Sequence, residues 1–479
     1  MAQTFFFYDL ETSGLDPRTS RIMQFAGQRT DLNLEPIGYP YNILIKLNDD
    51  TLPSPEALMV TGITPQATQA DGYTEAEFAR MLITEVCQPG TIMVGFNNIR
   101  FDDEFVRAFL WRNFYDAYEW AWKESRSRWD LLDVVRMTRA LRPEGIKWPI
   151  VDGKPTNRLE LITKENGIDH FQAHDALSDV EALIAVTKLI REKQPRLYEY
   201  LFSMREKSKV KELVNLDNKE PFVYASGRYS SDYHKTTVAF PLTSGKNGNV
   251  VVYDLRHDPA LFVDLSPEEL RKKFYATWEE RKAEDFIPLP VKELQYNRAP
   301  AVAPLGVLQQ EDGWIKLGLS PDIIEAHKAA LLRAPHFAEN IRSLYETRPE
   351  YKKATDPEAQ LYDGFLNDRD RLKVETIRNA TERELADYHP EFADERLAPL
   401  LLHYKARNFP GSLSEDEAYA WEEWRSKHIA QQLPQFMKSL QRLAATETSE
   451  EKQFILQELQ LWAESVMPAD IEQVSADQI

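Results

Sequence analysis

The sequence predicts three successive regions: an α/β region, a small and mostly β region, and an all-α region. Up to residue 195, strand-like apolar runs alternate with helical patterns, as in α/β folds. From about residue 215 to about residue 310, short β-like runs are separated by turn-forming residues. From Glu358 onward the pattern is helical, with few glycines. We therefore expect domains at residues 1–195, 196–350 and 355–479.

The apolar spacing predicts the elements of the α/β region. Its strand candidates are Phe5–Leu10, Ile22–Thr30, Tyr41–Leu47 and Thr91–Phe96. Its helix candidates are Thr74–Glu85, Asp103–Asn113, Leu131–Arg139, Leu159–Asn166 and His174–Glu192. Asp175 can cap the last of these helices, and Val186 and Ile190 belong to its apolar face.

The two later regions differ in their periodicity. The predicted strands of the second region are Pro221–Ala225, Thr236–Pro241, Val250–Leu255 and Leu261–Leu265. A turn is expected at residues 244–249, and two helices, Pro321–Leu332 and His336–Glu346, close this region. The predicted helices of the third region are Ala359–Leu366, Asp368–Asn379, Arg396–Ala406, Glu415–Gln432, Leu433–Thr446 and Glu450–Val466.

Composition limits the classes of protein that the chain can form. Its 479 residues include 28% charged and 43% hydrophobic residues, which is typical of a folded protein in water. The net charge of -19 argues against indiscriminate binding to nucleic acid but leaves a local basic track open. We expect no membrane span and no secretion signal. The single cysteine, Cys87, fits a reducing cytoplasm.

Two acids stand near the end of the first predicted strand. Asp9 and Glu11 are two positions apart, so both side chains project from one face of the strand. The preceding aromatic run, residues 5–8, is expected to be buried. Two carboxylates in such surroundings repel each other and lose hydration. A divalent cation would compensate for this, and the pair therefore predicts a metal-dependent hydrolase.

Further acids follow at places where a helix begins. Asp102 lies where a predicted strand turns into a helix, and Asp179 follows His174 by five residues. With Asp9 and Glu11, these two acids are the four candidate metal ligands. Two Mg²⁺ ions about 3.5–4 Å apart can stabilise charge on the incoming and leaving oxygens of a phosphodiester. A histidine can then take the proton of the attacking water.

Each of these signals also has an ordinary structural explanation. Strands that carry two alternating acids are common, and Asp102 could simply cap the following helix. His174 and Asp179 could be solvated residues at a helix start. The order in which the signals occur favours catalysis, because one reaction explains all of them. We expect the neighbouring acids to face solvent, to cap a helix or to support the metal ligands from behind: Asp103, Glu104, Asp175 and Glu181.

The motifs resemble those of the DEDD exonuclease superfamily, histidine subtype. They are D-x-E at Asp9, N-N-x-R-F-D ending at Asp102, and H-x-x-x-x-D from His174 to Asp179. Further stretches are similar to the bacterial exonuclease I family in particular. These include residues 24–27, 61–65, 97–104, 112–116, 127–133, 141–146, 173–180, 194–197, 360–365 and 406–411.

The resemblance implies a fold, an activity and roles for the acids. It implies an RNase H-like exonuclease domain, an SH3-like β-barrel domain and an all-α C-terminal domain. It implies a 3′→5′ exodeoxyribonuclease specific for single-stranded DNA, which releases 5′-mononucleotides in DNA repair and recombination. Asp9, Glu11, Asp102 and Asp179 match the positions that bind two Mg²⁺ ions, for which Mn²⁺ can substitute. His174 matches the general base.

Substrate and partner contacts are also expected. Leu15 and Phe101 flank the acids and could touch terminal nucleotides, as could Glu11, whereas Arg100 and Arg128 are candidates for phosphate contact. The family binds the C-terminal tail of single-stranded DNA-binding protein, and Arg142 and Tyr200 match part of that pocket. Where the family has another arginine, this chain has Gln309 in the closest alignment, so Lys316 or Arg333 could take its place. We expect a monomer.

Two other functions stay open at this point. A proofreading subunit or a small ribonuclease of the same superfamily would share the acids, but such proteins are little more than the nuclease domain. A non-catalytic nucleic-acid-binding scaffold would be favoured if a ligand were missing. All four acids are present.

Overall fold

The strands nearest the N-terminus form one mixed sheet in the computed structural model, which describes residues 3–170, 175–283, 285–310, 312–348 and 353–468. The strands are β1 (Thr4–Thr12), β2 (Ile22–Thr30), β3 (Tyr41–Leu44), β4 (Thr91–Gly95) and β5 (Ser127–Asp130). Their spatial order is β3-β2-β1-β4-β5. Strand β1 is antiparallel to β2 and parallel to β4, so the strand that carries the first acids is central.

Alternation along β1 explains why this strand is buried on both faces. Phe6 and Tyr8 point to one face, where they pack with Phe25, Phe78 and Phe109 in a single apolar core. The odd-numbered side chains point to the other face, which includes both acids. The aromatic run predicted to be buried is at most 1% exposed from Phe5 to Tyr8.

Seven helices of the described chain lie between β3 and residue 193. They are α1 (Pro55–Thr61), α2 (Pro65–Asp71), α3 (Glu75–Met81), α4 (Asp102–Arg112), α5 (Leu131–Leu141), α6 (Leu159–Glu165) and α7 (Ala176–Lys193). The predicted cap of the last one is confirmed, because Asp175 accepts the backbone N–H of Ser178 at 3.0 Å. A short hairpin of β6 (Ile150–Val151) and β7 (Lys154–Pro155) precedes α6.

A second sheet forms the core of the middle region. Its strands are β8 (Phe222–Ala225), β9 (Thr236–Ser244), β10 (Val250–Asp254), β11 (Val291–Leu294) and β12 (Val302–Pro304). Their order is β11-β10-β9-β8-β12, so among the described residues the ladder has two ends and does not close. The predicted strand Leu261–Leu265 is wrong. Asp258 caps a 3₁₀ turn that starts at Pro259, and this pairing of Asp with Pro favours a helical turn.

Six further helices belong to this middle part of the chain. They are α8 (Pro195–Ser203), α9 (Lys207–Leu213), α10 (Pro267–Phe274), α11 (Gly313–Lys316), α12 (Pro321–Arg333) and α13 (Pro335–Glu346). The turn expected at residues 244–249 is present as a 3₁₀ turn between β9 and β10.

The C-terminal part of the described chain is helical, as the sequence predicts. Its helices are α14 (Asp368–Asn379), α15 (Glu382–Asp387), α16 (Leu397–Asn408), α17 (Glu415–Ala444) and α18 (Glu450–Val466). The predicted helix Ala359–Leu366 is wrong, since a 3₁₀ helix, Pro357–Asp363, occupies this segment. The predicted break after Gln432 is also wrong. Helix α17 continues through Pro434, and Ile429, Phe436 and Leu440 pack in one core with α18.

The chain divides into two compact units. One consists of Met1–Ser127, Phe171–Glu181 and Lys352–Ile479, and the other of Arg128–His170 and Ala182–Tyr351. The C-terminal helices therefore share a unit with most of the first sheet. Strand β5 and helix α7 each contribute residues to both units. No helix in the described ranges is long and apolar enough to cross a membrane.

Candidate active site

Strand β1 presents the first two acids at its carboxyl end. Asp9 pairs with Ala26 and Glu11 with Gln24 across the antiparallel ladder, and the register shifts between Glu11 and Thr12. Such an irregularity bends a strand and re-aims its side chains, and it is frequent beside active sites. The two acids therefore lie on one face at the point where the strand leaves the sheet.

Asp102 reaches the site from the segment that follows β4. The chain turns through Asn97, which has a left-handed backbone (φ 69°), and a 3₁₀ turn at Asn98–Arg100. Asparagine tolerates this conformation better than most residues do. Asp102 is then the first residue of α4 and only 4% exposed. Its position at a helix N-terminus is favourable for a negative charge.

Asp179 completes the group from the first turn of α7. Asp9, Glu11 and Asp179 each offer a carboxylate oxygen, and these oxygens all lie within 4.8 Å of one another. We call Asp9, Glu11, Asp102 and Asp179 the acid cluster. His174, the predicted base, lies outside the residues that the structure describes.

The acid cluster strongly disfavours its own negative charges. Burial raises the pKa of Asp9 well above its ordinary value, and the charges of Asp102, Glu11 and Asp179 raise it further. Burial raises the pKa of Glu11 to about 8, with Asp179 and Asp102 as the next causes. The charge of Asp102 therefore raises the pKa values of both acids of β1. At neutral pH the cluster needs positive charge to hold these carboxylates ionised.

The donor set fits a hard divalent cation. Asp9 and Glu11 form no ion pair with a base among the residues described here, and oxygen is the ligand atom that Mg²⁺ prefers. These carboxylates can therefore hold a metal ion. The raised pKa values show that such an ion would compete with protons for them.

A second group of possible ligands does not fit a cation. Asp356, Glu358 and His403 also place ligand atoms within 4.8 Å of one another. However, the Arg21 guanidinium lies 2.9 Å from Glu358, and Arg407 contacts the same carboxylate. Burial alone would raise the pKa of Glu358, but Arg21 and Arg407 lower it well below its ordinary value. Its charge is already neutralised.

Glu358 is part of a larger buried network. Arg407 also contacts Asp50, and Arg112 lies 2.8 Å from Glu75. We call these six residues the arginine–carboxylate network: Arg21, Asp50, Glu75, Arg112, Glu358 and Arg407. All six side chains are at most 3% exposed. Three guanidinium groups thus balance three carboxylates, and the network is structural.

The loop after β1 adjoins both groups of acids. The Ser13 backbone N–H donates to the Arg21 carbonyl at 2.8 Å, and the Arg21 N–H donates to the Ser13 hydroxyl at 2.8 Å. A Cβ atom on Gly14 would lie 2.6 Å from the Ser20 hydroxyl, so a larger residue here would make the Ser20 side chain move. Leu15 at its tip is 83% exposed. An apolar side chain displayed in this way is available for contact with a ligand.

The other predicted residues of the same unit lie on the α4 side. Arg100 is exposed at the end of the 3₁₀ turn. Phe101 is half-buried, and its ring centroid lies 5.0 Å from that of Phe105. Phe101 is therefore anchored to the apolar core with part of its surface exposed.

The remaining predicted residues belong to the second unit. Arg128 lies in β5, and its guanidinium donates to the Asn297 carbonyl at 3.2 Å. Arg142 ends α5 and donates to the Val307 carbonyl at 3.3 Å. Tyr200 is half-buried on α8, and burial raises its pKa to about 12.

Sequence reasoning missed the arginine–carboxylate network and the burial of Asp103. Asp103 is 0% exposed and accepts a hydrogen bond from the Tyr8 hydroxyl at 2.5 Å. Alternation does predict that Tyr8 faces away from Asp9. The partner of Tyr8 is 95 residues away, and no local pattern indicates it.

Comparison with known proteins agrees with the fold and the site. A protein-family model described as Exonuclease matches residues 6–187, which contain the whole acid cluster. The mixed sheet and this family match thus identify an exonuclease. Models for the Exonuclease I SH3-like domain and the Exonuclease I C-terminal domain match residues 205–347 and 355–466.

Full-length relatives identify the family. Exodeoxyribonuclease I of Haemophilus influenzae is 38% identical over 461 residues, which cover 95% of this chain and 97% of the relative. The chain belongs to the exonuclease I family.

Solved structures show the same similarity. Escherichia coli exonuclease I in complex with a dA16 oligonucleotide has a TM-score of 0.93 at 37% identity, covering 97% of this chain and 100% of the other. The zinc ion bound form of the E. coli enzyme with single-stranded DNA has a TM-score of 0.92 at 36% identity, with the same coverage. The fold is therefore that of an exonuclease domain followed by SH3-like and helical domains.

Proposed function

We propose that this chain is a single-strand-specific 3′→5′ exodeoxyribonuclease that releases 5′-mononucleotides and acts in DNA repair and recombination. The main support for this proposal is that carboxylate oxygens of Asp9, Glu11 and Asp179 lie within 4.8 Å of one another. The charge of Asp102 also raises the pKa values of Asp9 and Glu11. Membership of the exonuclease I family supports the choice of substrate, because a relative of this family was solved with a dA16 oligonucleotide.

The acid cluster would hold two Mg²⁺ ions, for which Mn²⁺ can substitute. Bound there, these ions would stabilise the negative charge that develops on the attacking and leaving oxygens of the terminal phosphodiester. The four carboxylates would serve as oxygen ligands, which Mg²⁺ prefers. His174, five residues before Asp179, takes the proton of the attacking water.

Further side chains would position the end of the DNA strand. Leu15 and Phe101 are assigned to contacts with terminal nucleotides, and the exposed fraction of Leu15 supports this role. Arg100 and Arg128 are assigned to the phosphates, and Glu11 to the terminal nucleotide as well as to the metal. Basic side chains of this kind can bind a strand in spite of the net charge of -19.

One comparison of substrates tests the proposal. Purified chain is incubated with a DNA oligonucleotide and an RNA oligonucleotide of the same sequence, each labelled at its 5′ end, with Mg²⁺ or with EDTA. We expect Mg²⁺-dependent shortening of the DNA from its 3′ end and much slower shortening of the RNA. Equal rates on RNA would favour an RNA-directed enzyme, and no shortening of either would favour a scaffold.

A substitution tests the assignment of the base. His174→Ala should lower the rate of nucleotide release by about 10²–10⁴-fold, which is the usual contribution of a general base. Asp103 and the four ligands are unchanged in this variant, so metal binding should persist. A rate close to that of the wild type would show that another group activates the water.

We also propose that the second unit binds the C-terminal tail of single-stranded DNA-binding protein. Arg142 would hold the terminal carboxylate and Tyr200 would pack against the apolar residues of the tail. The Lys316 ammonium lies 2.8 Å from Glu144, two residues after Arg142, which makes Lys316 the better substitute for the missing arginine. Arg142→Ala and Lys316→Ala should each weaken binding of a tail peptide, measured by fluorescence anisotropy, whereas Arg333→Ala should not.

Three organisational proposals complete this view of the protein. The domain division at residues 1–195, 196–350 and 355–479 is supported by the three matched ranges. We also propose a cytoplasmic monomer, which light scattering at several protein concentrations would test.

A further inference from the structure

A buried hydrogen-bonded group lies directly behind the acid cluster. The Tyr8 hydroxyl donates to Asp103 Oδ1 at 2.5 Å. The Asn98 side-chain amide donates to the same Asp103 oxygen at 3.3 Å and to the Tyr8 oxygen at 3.4 Å. Tyr8 is 1% exposed, and Asp103 and Asn98 are each 0% exposed. We call them the buried triad.

The buried triad is adjacent in sequence to two members of the acid cluster. Tyr8 immediately precedes Asp9 on β1, and Asp103 immediately follows Asp102 on α4. Because side chains alternate along a strand, Tyr8 and Asp9 lie on opposite faces of the sheet. The bond between Tyr8 and Asp103 therefore joins the strand and the helix that carry Asp9 and Asp102, one residue away from each.

The segment around Asn98 is built to allow this contact. A Cβ atom on Gly95 would lie 2.5 Å from the Asn98 Cβ, so the close approach of Asn98 requires glycine at this position. Asn97 holds the left-handed conformation that turns the chain from β4 toward α4. The third member of the triad thus fixes the loop between these two elements.

We infer that the buried triad is a positioning device that sets the separation of Asp9 and Asp102 and thereby the metal affinity of the site. This inference rests on the proposed function, because it assigns both acids to metal binding. Groups behind a metal ligand commonly change metal affinity by about 10–100-fold. All three side chains are buried, and Tyr8 lies on the face of the sheet opposite Asp9, so we assign Tyr8, Asn98 and Asp103 as positioning residues.

A purely electrostatic effect of the substitution is expected to be small. Tyr8→Phe removes a neutral O–H dipole and leaves every formal charge in place. A dipole acts on a cation more weakly than a charge at the same distance does, so its loss alone should change cation affinity little. A large loss of affinity would therefore report the loss of positioning.

The experiment measures Mn²⁺ binding without turnover. Wild type, Tyr8→Phe, Asp103→Asn and the double variant are titrated with Mn²⁺ by isothermal calorimetry in the absence of DNA. The matched control is Tyr253→Phe, since Tyr253 is also 0% exposed and donates one hydrogen bond, to the His257 carbonyl at 3.2 Å. A second readout is nucleotide release, with kcat and KM for a DNA oligonucleotide determined at several Mg²⁺ concentrations.

We expect Tyr8→Phe to weaken Mn²⁺ binding about tenfold and to raise the Mg²⁺ concentration for half-maximal rate by a similar factor. KM for DNA should be unchanged at saturating Mg²⁺. Both substitutions remove the same hydrogen bond between Tyr8 and Asp103. The double variant should therefore bind Mn²⁺ no more weakly than whichever single variant has the lower Mn²⁺ affinity. Tyr253→Phe should bind Mn²⁺ as the wild type does.

Two results would overturn the inference: Mn²⁺ affinity that is unchanged or tighter in Tyr8→Phe, or an equal loss in Tyr253→Phe. The second would reveal a general effect of a missing buried hydroxyl on stability. A different result would contradict the proposed function: wild-type protein that binds Mn²⁺ but releases no nucleotides from DNA. The calorimetric result for the triad would still decide the positioning role in that case.

Discussion

Two groups of acids lie within the same compact unit and differ in how their charge is compensated. The acid cluster brings the carboxylates of Asp9, Glu11 and Asp179 together, and loss of hydration and repulsion among the cluster's acids, including Asp102, raise the pKa values of Asp9 and Glu11. The arginine–carboxylate network contains three carboxylates and three arginines. Burial alone would raise the pKa of Asp50, but Arg407 and Arg21 lower it to about 2.

The difference shows how to distinguish a ligand site from a structural one. Both groups contain carboxylates, and both place possible ligand atoms close to one another. In the network, Arg112 donates a hydrogen bond to Glu75 and Arg407 donates one to Asp50, and Glu358 is ion-paired with Arg21 and Arg407. In the acid cluster the described residues provide no such partner for Asp9 or Glu11, and these carboxylates could therefore hold a cation. The following predictions test this contrast.

The largest expected effect is on activity. Asp9→Asn should lower nucleotide release by about 10³-fold, because bound metal supplies several kcal/mol of transition-state stabilisation and each 1.36 kcal/mol is tenfold in rate. Rates are measured on a single-stranded DNA oligonucleotide with Mg²⁺. The matched control is Asp71→Asn, the same change at an exposed residue of α2, which should keep the wild-type rate. Activity retained in Asp9→Asn would place the metal elsewhere.

The next effect is on stability. Glu358→Gln leaves Arg21 and Arg407 buried with an unbalanced charge, and breaking a buried ion pair in this way costs about 3–5 kcal/mol. The free energy of unfolding in urea should fall by this amount. Asp368→Asn is the control, because its side chain is 99% exposed and only weakly paired. A loss below about 1 kcal/mol would mean that the network does not hold the unit together.

The smallest effect is on the pH dependence of stability. This dependence has opposite signs in the acid cluster and in the arginine–carboxylate network. The folded-state pKa of Glu11, about 8, is above its ordinary value of 4.5, so the folded protein binds a proton that the unfolded chain has released. Metal-free protein should therefore lose stability as pH rises from about 5 to 8. The change should be at least about 1 kcal/mol, since one pKa unit corresponds to 1.36 kcal/mol.

Two variants sharpen this pH test. Glu11→Gln should flatten the fall between about pH 5 and 8, and saturating Mg²⁺ should reverse it in the wild type. Asp50 has a lowered pKa, so its stabilisation is present above about pH 4 and is lost as pH falls toward about 2. Asp50→Asn should remove that acid-side loss. Thermal unfolding at several pH values, followed by circular dichroism, measures both effects. If the two variants had the same pH profile as the wild type, the contrast between the two groups of acids would be contradicted.

Local patterns were sufficient for many elements and for the acids. Residues Ile22–Thr30, Asp368–Asn379 and Glu450–Val466 form the predicted elements with the predicted bounds. In each, apolar periodicity or a clear start signal agrees with the final packing. Asp9 and Glu11 were predictable because a strand has a period of two, and Asp102 and Asp179 because both follow recognisable turns into helices.

Long-range packing determined what the sequence did not predict. The predicted helix at Ala359–Leu366 is replaced by a 3₁₀ helix whose Gln360 carbonyl accepts a hydrogen bond from Arg396 at 2.7 Å. Glu358 in the same segment pairs with Arg21, more than three hundred residues earlier in the chain. Neither contact leaves a periodic signal. A short apolar segment such as Leu261–Leu265 also cannot reveal whether a neighbouring strand is available for pairing.

The most direct test of the central claim is a crystal structure with Mn²⁺ and a short thymidine oligonucleotide, with the ions located by their anomalous scattering. We predict Mn²⁺ bound by Asp9, Glu11, Asp102 and Asp179 at the 3′-terminal phosphate, and none at Glu358. Mn²⁺ bound at Asp356, Glu358 and His403 instead, or an acid cluster without metal at saturating Mn²⁺, would contradict the account.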